Sequence, residues 1–248
     1  MSDLIDLAGK TIIVTGASSG IGAATVRRLH AAGAHPVLAA RRADRLAELS
    51  KELDGALAVP TDVTDPAQVG DLVAAALERH RRIDGLVNNA GASIGGPLDQ
   101  IDPAEFGQIL QLNVVSLLTM TQAVLPAMRK QGFGRIVNVS SGTTRRVAVG
   151  HGAYASTKSA VNMLSAVLTQ ELAGDGIAVS LLLPSITATE FGNGMFSLGV
   201  PPRPGMVVHS PEYAADVVLR LLRTGEESFD IPHGPEQPEV TRVPDQAA

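Results

Sequence analysis

Short runs of β-branched and aliphatic residues recur along this chain at regular intervals, and each is followed by a stretch with helical spacing. Thr11-Ile-Ile-Val14, ending in Gly16, reads as a buried strand. The same pattern predicts strands over residues 37–40, 56–59, 83–87, 135–139 and 178–183. Between them fall helices over 21–32, closed by Gly33, and over 44–53. Asp65-Pro66 opens a third helix, in which Val69, Leu72, Val73, Ala76 and Leu77 form an apolar stripe. Asp102-Pro103 caps a long helix to about residue 130, and further helices cover 153–172 and 211–223. Strands joined through helices run parallel, and a parallel sheet needs both faces covered, so an α/β fold of three αβα layers is expected. A chain of 248 residues can bury one large core, and no repeat or linker divides it, so residues 1–248 are read as a single domain.

Charge and composition exclude several functions. With 45% hydrophobic and 18% charged residues, burial is easily achieved. The net charge of −5 comes without a block of like charge, so neither a nucleic-acid nor a membrane partner is expected. No cysteine is present, which removes disulfides and thiolate chemistry, and the six histidines have no metal-site spacing. Asp3 and Asp6 interrupt the first ten residues, and no unbroken apolar run reaches the roughly 18 residues of a membrane span. A cytoplasmic location is the expectation.

Two segments break the alternation. Residues 184–210 hold Gly192, Gly194, Gly199 and Gly205 together with Pro201, Pro202 and Pro204; a loop of that length in a compact domain is expected to be a substrate lid. Its Phe191, Met195, Phe196, Leu198 and Val200 either line an apolar pocket or seat the lid on the protein. Residues 232–248, with Pro235, Pro238 and Pro244, read as an irregular tail.

The first strand runs through Thr15-Gly16-Ala-Ser18-Ser19-Gly20-Ile21-Gly22 straight into a helix. Glycines there allow a tight turn and close approach of a ligand, and the helix N-terminus offers free N–H groups to phosphate. A glycine turn needed only for packing is the alternative. At the end of the second strand, where a free ribose 2′-hydroxyl wants an acidic partner, stand Ala40, Arg41 and Arg42. Two arginines ahead of a helix oppose its dipole at about 0.3–1 kcal/mol each. A 2′-phosphate would offset that through forked, charge-assisted contacts, which favours NADP(H) over NAD(H); solvated arginines on a surface turn are the alternative.

Tyr154 and Lys158 lie four residues apart on a predicted helix, hence on one face. A cation fixed near a phenol lowers its pKa from about 10 and equips it to exchange a proton with a carbinol or carbonyl oxygen. One exposed helical turn is the plain alternative.

Taken in order, the Thr15–Gly22 turn, Asn88-Asn89-Ala90-Gly91, Asn113, Ser141 and Tyr154-x-x-x-Lys158 resemble the short-chain dehydrogenase/reductases from about Thr11 to Thr189. The resemblance implies a Rossmann-type, doubly wound sheet with strand order 3-2-1-4-5-6-7, in dimers or tetramers. It implies that Asp62, with Val63 beside it, meets the adenine, and that Asn89, Ala90 and Gly91 line the cofactor. It implies that the backbone carbonyl of Asn113 holds a water linking Lys158 to solvent, and that Thr187 and Thr189 meet the carboxamide. The family's serine stands thirteen residues before the tyrosine, which selects Ser141 over Ser140. This chain departs in three places: Pro184-Ser185 replaces Pro-Gly, Ser19 replaces a basic residue common in NADP-dependent members, and the C-terminal segment lacks a glycine-ended final strand.

The implied activity is hydride transfer between NADP(H) and a carbonyl or alcohol, with Tyr154 as acid/base, Lys158 lowering its pKa and holding ribose, and Ser141 bonding the substrate oxygen. An NAD-dependent alcohol dehydrogenase and a non-catalytic dinucleotide sensor are the competing readings. Arg145, Arg146 and His151 either meet an acidic substrate or form a solvated loop.

Overall fold

Every predicted strand forms, and one more appears beyond them. The structure is a computed structural model that describes residues 4–192 and 207–232. The predicted lid residues Met195, Phe196, Leu198 and Val200 and the tail from residue 233 lie outside the described residues. Among the described residues, seven parallel strands make one sheet in the order β3-β2-β1-β4-β5-β6-β7. They are β1 (Thr11–Thr15), β2 (His35–Ala40), β3 (Ala58–Pro60), β4 (Gly85–Asn88), β5 (Gly134–Val139), β6 (Ile177–Leu183) and β7 (Ser228–Asp230). Pro60, which cannot donate to a ladder, ends an edge strand, where that defect is tolerated. The final strand β7 was not predicted and ends in Asp230 rather than in glycine: its three residues are too few for a period, and the ladder to β6 defines them.

Helices α1 (Gly20–Ala31), α2 (Ala43–Glu52) and α7 (Pro211–Thr224) cover one face, burying Val26, Leu29, Leu46, Val217, Val218 and Leu221 against β1, β2 and β6. Helices α3 (Pro66–His80), α5 (Ser116–Gln131) and α6 (Gly152–Leu172) cover the other with Val69, Leu72, Met120, Val124, Met128 and Leu168. The predicted long helix is α4 (Pro103–Leu110) continued by a π-helical turn, Gln111–Val115, into α5. From 103 to 131 it is long and apolar enough to cross a membrane by length and composition, yet its inner stripe serves the core of this sheet.

Strand polarity positions the site. All seven strands point the same way, and the order reverses between β1 and β4, so the loops after these two strands diverge and leave a crevice at the carboxyl edge.

Candidate active site

The crevice is built first by the turn after β1. Gly16 and Gly20 have φ of +66° and +52°, values that side chains resist. A Cβ on Gly22 would collide with the carbonyl of Gly16, so the helix can begin this close to the turn only without one. Ser19 caps α1 in extended geometry and its hydroxyl makes no bond to the helix, leaving the first N–H groups of the helix free. Asn89 locks the opposite wall: its Nδ2 donates to the carbonyls of Thr15 and Gly16 at 2.9 and 3.4 Å. The amides of Asn89 and Ala90 both donate to the Thr15 hydroxyl at 3.0 Å. Ile21 is partly buried behind the turn.

The two arginines diverge. Arg42 turns back over the turn, donating through Nε to Ser18 Oγ at 3.0 Å and through a terminal nitrogen to Ser19 Oγ at 2.6 Å. Its other terminal nitrogen meets Glu190 at 2.9 Å, and Arg45 meets the same carboxylate at 2.7 Å. Arg41 is exposed and acts on Asp62 only through its charge. Asp62 accepts from the amide and hydroxyl of Thr64 at 2.9 and 2.7 Å, and these bonds hold its carboxyl below the usual range. Val63 beside it is buried. Glu190 and Arg45 were not singled out in the sequence; a charged pair 145 residues apart leaves no local trace.

At the ends of β5 and β6 the remaining residues converge. Ser141 follows β5 and shares a hydrogen bond with the Tyr154 phenol. Tyr154 and Lys158, one turn apart on α6, are both buried. The Lys158 ammonium donates to the carbonyl of Val139 at 2.9 Å and lies 6.0 Å from the centre of the Tyr154 ring. Burial opposes the expected lowering of the phenol pKa. Burial pushes Tyr154 up to about 12 against a smaller opposing effect of Ser141, and burial pulls Lys158 down to about 8. Both groups are taken out of water, and desolvation disfavours the charged form of each.

Asn113 sits in the π-helical turn with its side chain buried, exchanging two 2.9 Å bonds with the backbone of Ala92 and donating to Thr157 Oγ1 at 3.0 Å. Gly91 lies where a Cβ would come within 3.0 Å of Asn113 Oδ1 and 3.6 Å of Lys158 Nζ, so the loop after β4 reaches the lysine directly. Ser140, the rejected serine, points away: its hydroxyl bonds Asn162 Oδ1, whose amide donates to Thr144 Oγ1 at 3.1 Å. That hydroxyl in turn donates to the Ser141 carbonyl at 2.9 Å. Asn162 thus braces the serine loop, a role that no sequence signal announces.

Beyond β6, Thr187 bridges to His209 and Thr189 packs against Gly20. The Thr189 hydroxyl accepts from the amide of Phe191 at 3.2 Å, and the Phe191 ring lies 5.7 Å from that of Tyr154. Ile94, Ile101, Phe106 and Ile109 form an apolar wall beside Tyr154. Arg145 pairs with Asp230 at the end of β7 at 2.9 Å. Among the described residues no three His, Asp or Glu side chains cluster as a metal site.

The sequence matches the short chain dehydrogenase family over residues 10–197. The chain belongs to this family. An uncharacterized oxidoreductase of Staphylococcus haemolyticus is 37% identical over 188 residues, which span 75% of this chain and 81% of that protein. Among solved short-chain dehydrogenase relatives, the 3-ketoacyl-(acyl-carrier-protein) reductase from Brucella melitensis complexed with NADH superposes with a TM-score of 0.82 at 28% identity, covering 91% of this chain and 97% of that one. The alcohol dehydrogenase from Thermococcus sibiricus complexed with 5-hydroxy-NADP gives a TM-score of 0.81 at 28% identity, over 93% and 99% of the two chains. The fold is the Rossmann-type fold that the sequence resemblance implied, and the chain is an oxidoreductase of this family.

Proposed function

We propose that the protein interconverts a carbonyl compound and an alcohol by hydride transfer with NADP(H). The observation that carries this reading is the convergence of Ser141, Tyr154 and Lys158 at the sheet edge that also presents the glycine turn. The residues fit a dinucleotide: Gly16 and Gly22 leave room for a backbone-close ligand, and the free N-terminus of α1 suits a diphosphate. Related proteins bind NADH or an NADP derivative, and Arg42 above the glycine turn favours the phosphorylated form here. Asp62 and Val63 would face the adenine end, Asn89, Ala90 and Gly91 the middle, and Thr187 and Thr189 the nicotinamide end.

The bound nicotinamide supplies or accepts the hydride. Tyr154, kept neutral at physiological pH by its burial, would donate its phenolic proton to the developing alkoxide and recover it through Lys158. Ser141 would donate to the same oxygen, most strongly where negative charge builds. Lys158 would hold the ribose and, through Gly91 and Asn113, keep the loop after β4 in register. Phe191 and the wall of Ile94 and Phe106 would exclude water from the reacting carbon.

Fluorescence titration with NADPH and NADH, followed by NADPH oxidation against ketones, aldehydes and keto acids, tests the reading. Tighter binding of NADPH with turnover of at least one carbonyl class is expected. Failure to bind either nucleotide overturns it.

A further inference from the structure

Glu190, in the segment after β6, is joined to the arginines of the cofactor crevice. Its carboxylate receives Arg42 at 2.9 Å and Arg45 at 2.7 and 2.9 Å, while the other two guanidinium nitrogens of Arg42 each donate one bond, to Ser18 and to Ser19. The backbone leaves it little choice, because the neighbouring Thr189 lies against Gly20, 3.0 Å from where a Cβ would stand. The next residue, Phe191, packs on the Tyr154 ring. A carboxylate in a fork of guanidinium groups has the chemistry of the anion such a fork is built to receive, with one charge where a phosphomonoester carries nearly two.

We propose that Glu190 is an internal competitor of the cofactor's 2′-phosphate and thereby a determinant of cofactor choice. The inference rests on the reading that Arg42 faces that phosphate. A 2′-phosphate must take Arg42 from the carboxylate and repels it at close range; a 2′-hydroxyl has no charge with which to do either. The phosphorylated cofactor therefore releases Glu190, and with it the Thr189–Phe191 segment against Tyr154, whereas the unphosphorylated one leaves the ion pairs in place. The arginines hold the Glu190 carboxyl below the usual carboxylate range, which favours the charged form of the competitor.

The test uses the full chain, the variants Glu190→Gln and Glu190→Ala, and two probes that differ only in the phosphate, 2′,5′-ADP and 5′-AMP. The side chain is half exposed, so neither substitution endangers folding. Both variants are expected to bind 2′,5′-ADP about three- to tenfold tighter than the unmodified protein, the scale of one or two exposed ion pairs, with 5′-AMP changed by less than about twofold. If the unmodified protein prefers 2′,5′-ADP and the variants leave that preference unaltered, the competitor role is overturned while the arginine reading stands. If no form distinguishes the two probes, the arginines do not receive a 2′-phosphate and both readings fall.

Discussion

Lys158 donates its ammonium to the carbonyl of Val139, 2.9 Å away on the last residue of β5, and so is tied to the sheet rather than to the phenol one turn before it. Burial lowers this lysine from 10.5 to about 8. The folded-state pKa lies below the unfolded one, so burial of the charged form costs stability below pH 8, about 3 kcal/mol by linkage, and the cost fades as pH rises from about 8 toward 10.5. The same titration bears on binding. The dependence of kcat/KM for NADPH on pH reports groups of the free enzyme. It is expected to be level from pH 6 to 7.5 and to fall above about 8, as the cation that holds the ribose is lost. A profile that stays level to pH 10 contradicts the role given to Lys158.

Tyr154→Phe keeps the ring that Phe191 packs on and removes only the hydroxyl bonded to Ser141. Turnover is expected to fall about 10²- to 10⁴-fold, the usual worth of a positioned proton donor, with the NADPH dissociation constant changed by less than about twofold. Steady-state rates and fluorescence titration check both halves. A variant that retains a third of its activity removes Tyr154 from the mechanism.

Asn162→Ala cuts the chain of bonds from Ser140 through Thr144 to the Ser141 carbonyl. The expected effect is a loss of about 1–2 kcal/mol in stability. A fall in kcat of about tenfold is expected as well, from misplacement of the Ser141 hydroxyl, with NADPH affinity intact. The separation of kcat from nucleotide affinity, measured well below the melting temperature, distinguishes bracing of the serine loop from plain loss of packing.

Two glycines offer a controlled pair. A Cβ at position 22 meets the Gly16 carbonyl and stands 2.7 Å from Asn89 Nδ2, whereas one at Gly70 on α3 meets nothing within 4 Å. Gly22→Ala is expected to destabilise the protein by about 1–3 kcal/mol and to weaken NADPH at least about tenfold. Gly70→Ala is expected to stabilise by up to about 1 kcal/mol with binding unchanged. Thermal melts with and without NADPH compare the two directly.

The sequence alone carried the architecture as far as β6. Runs such as Thr11–Val14, and stripes such as Val69, Leu72 and Ala76, report which face of a local element is buried, and burial on both faces of parallel strands leaves few arrangements. The glycine turn and the four-residue spacing of Tyr154 and Lys158 were legible for the same reason: each is a local geometric demand. What the sequence could not supply was decided where loops meet at the sheet edge. β7 exists because β6 offers it a ladder, and its own three residues have no period. Arg42 and Glu190 meet across 148 positions, and Arg41, adjacent in sequence, turns elsewhere. The pKa directions of Tyr154 and Lys158 follow from how completely the assembled layers exclude water, a property of the whole packing and not of the spacing between two residues.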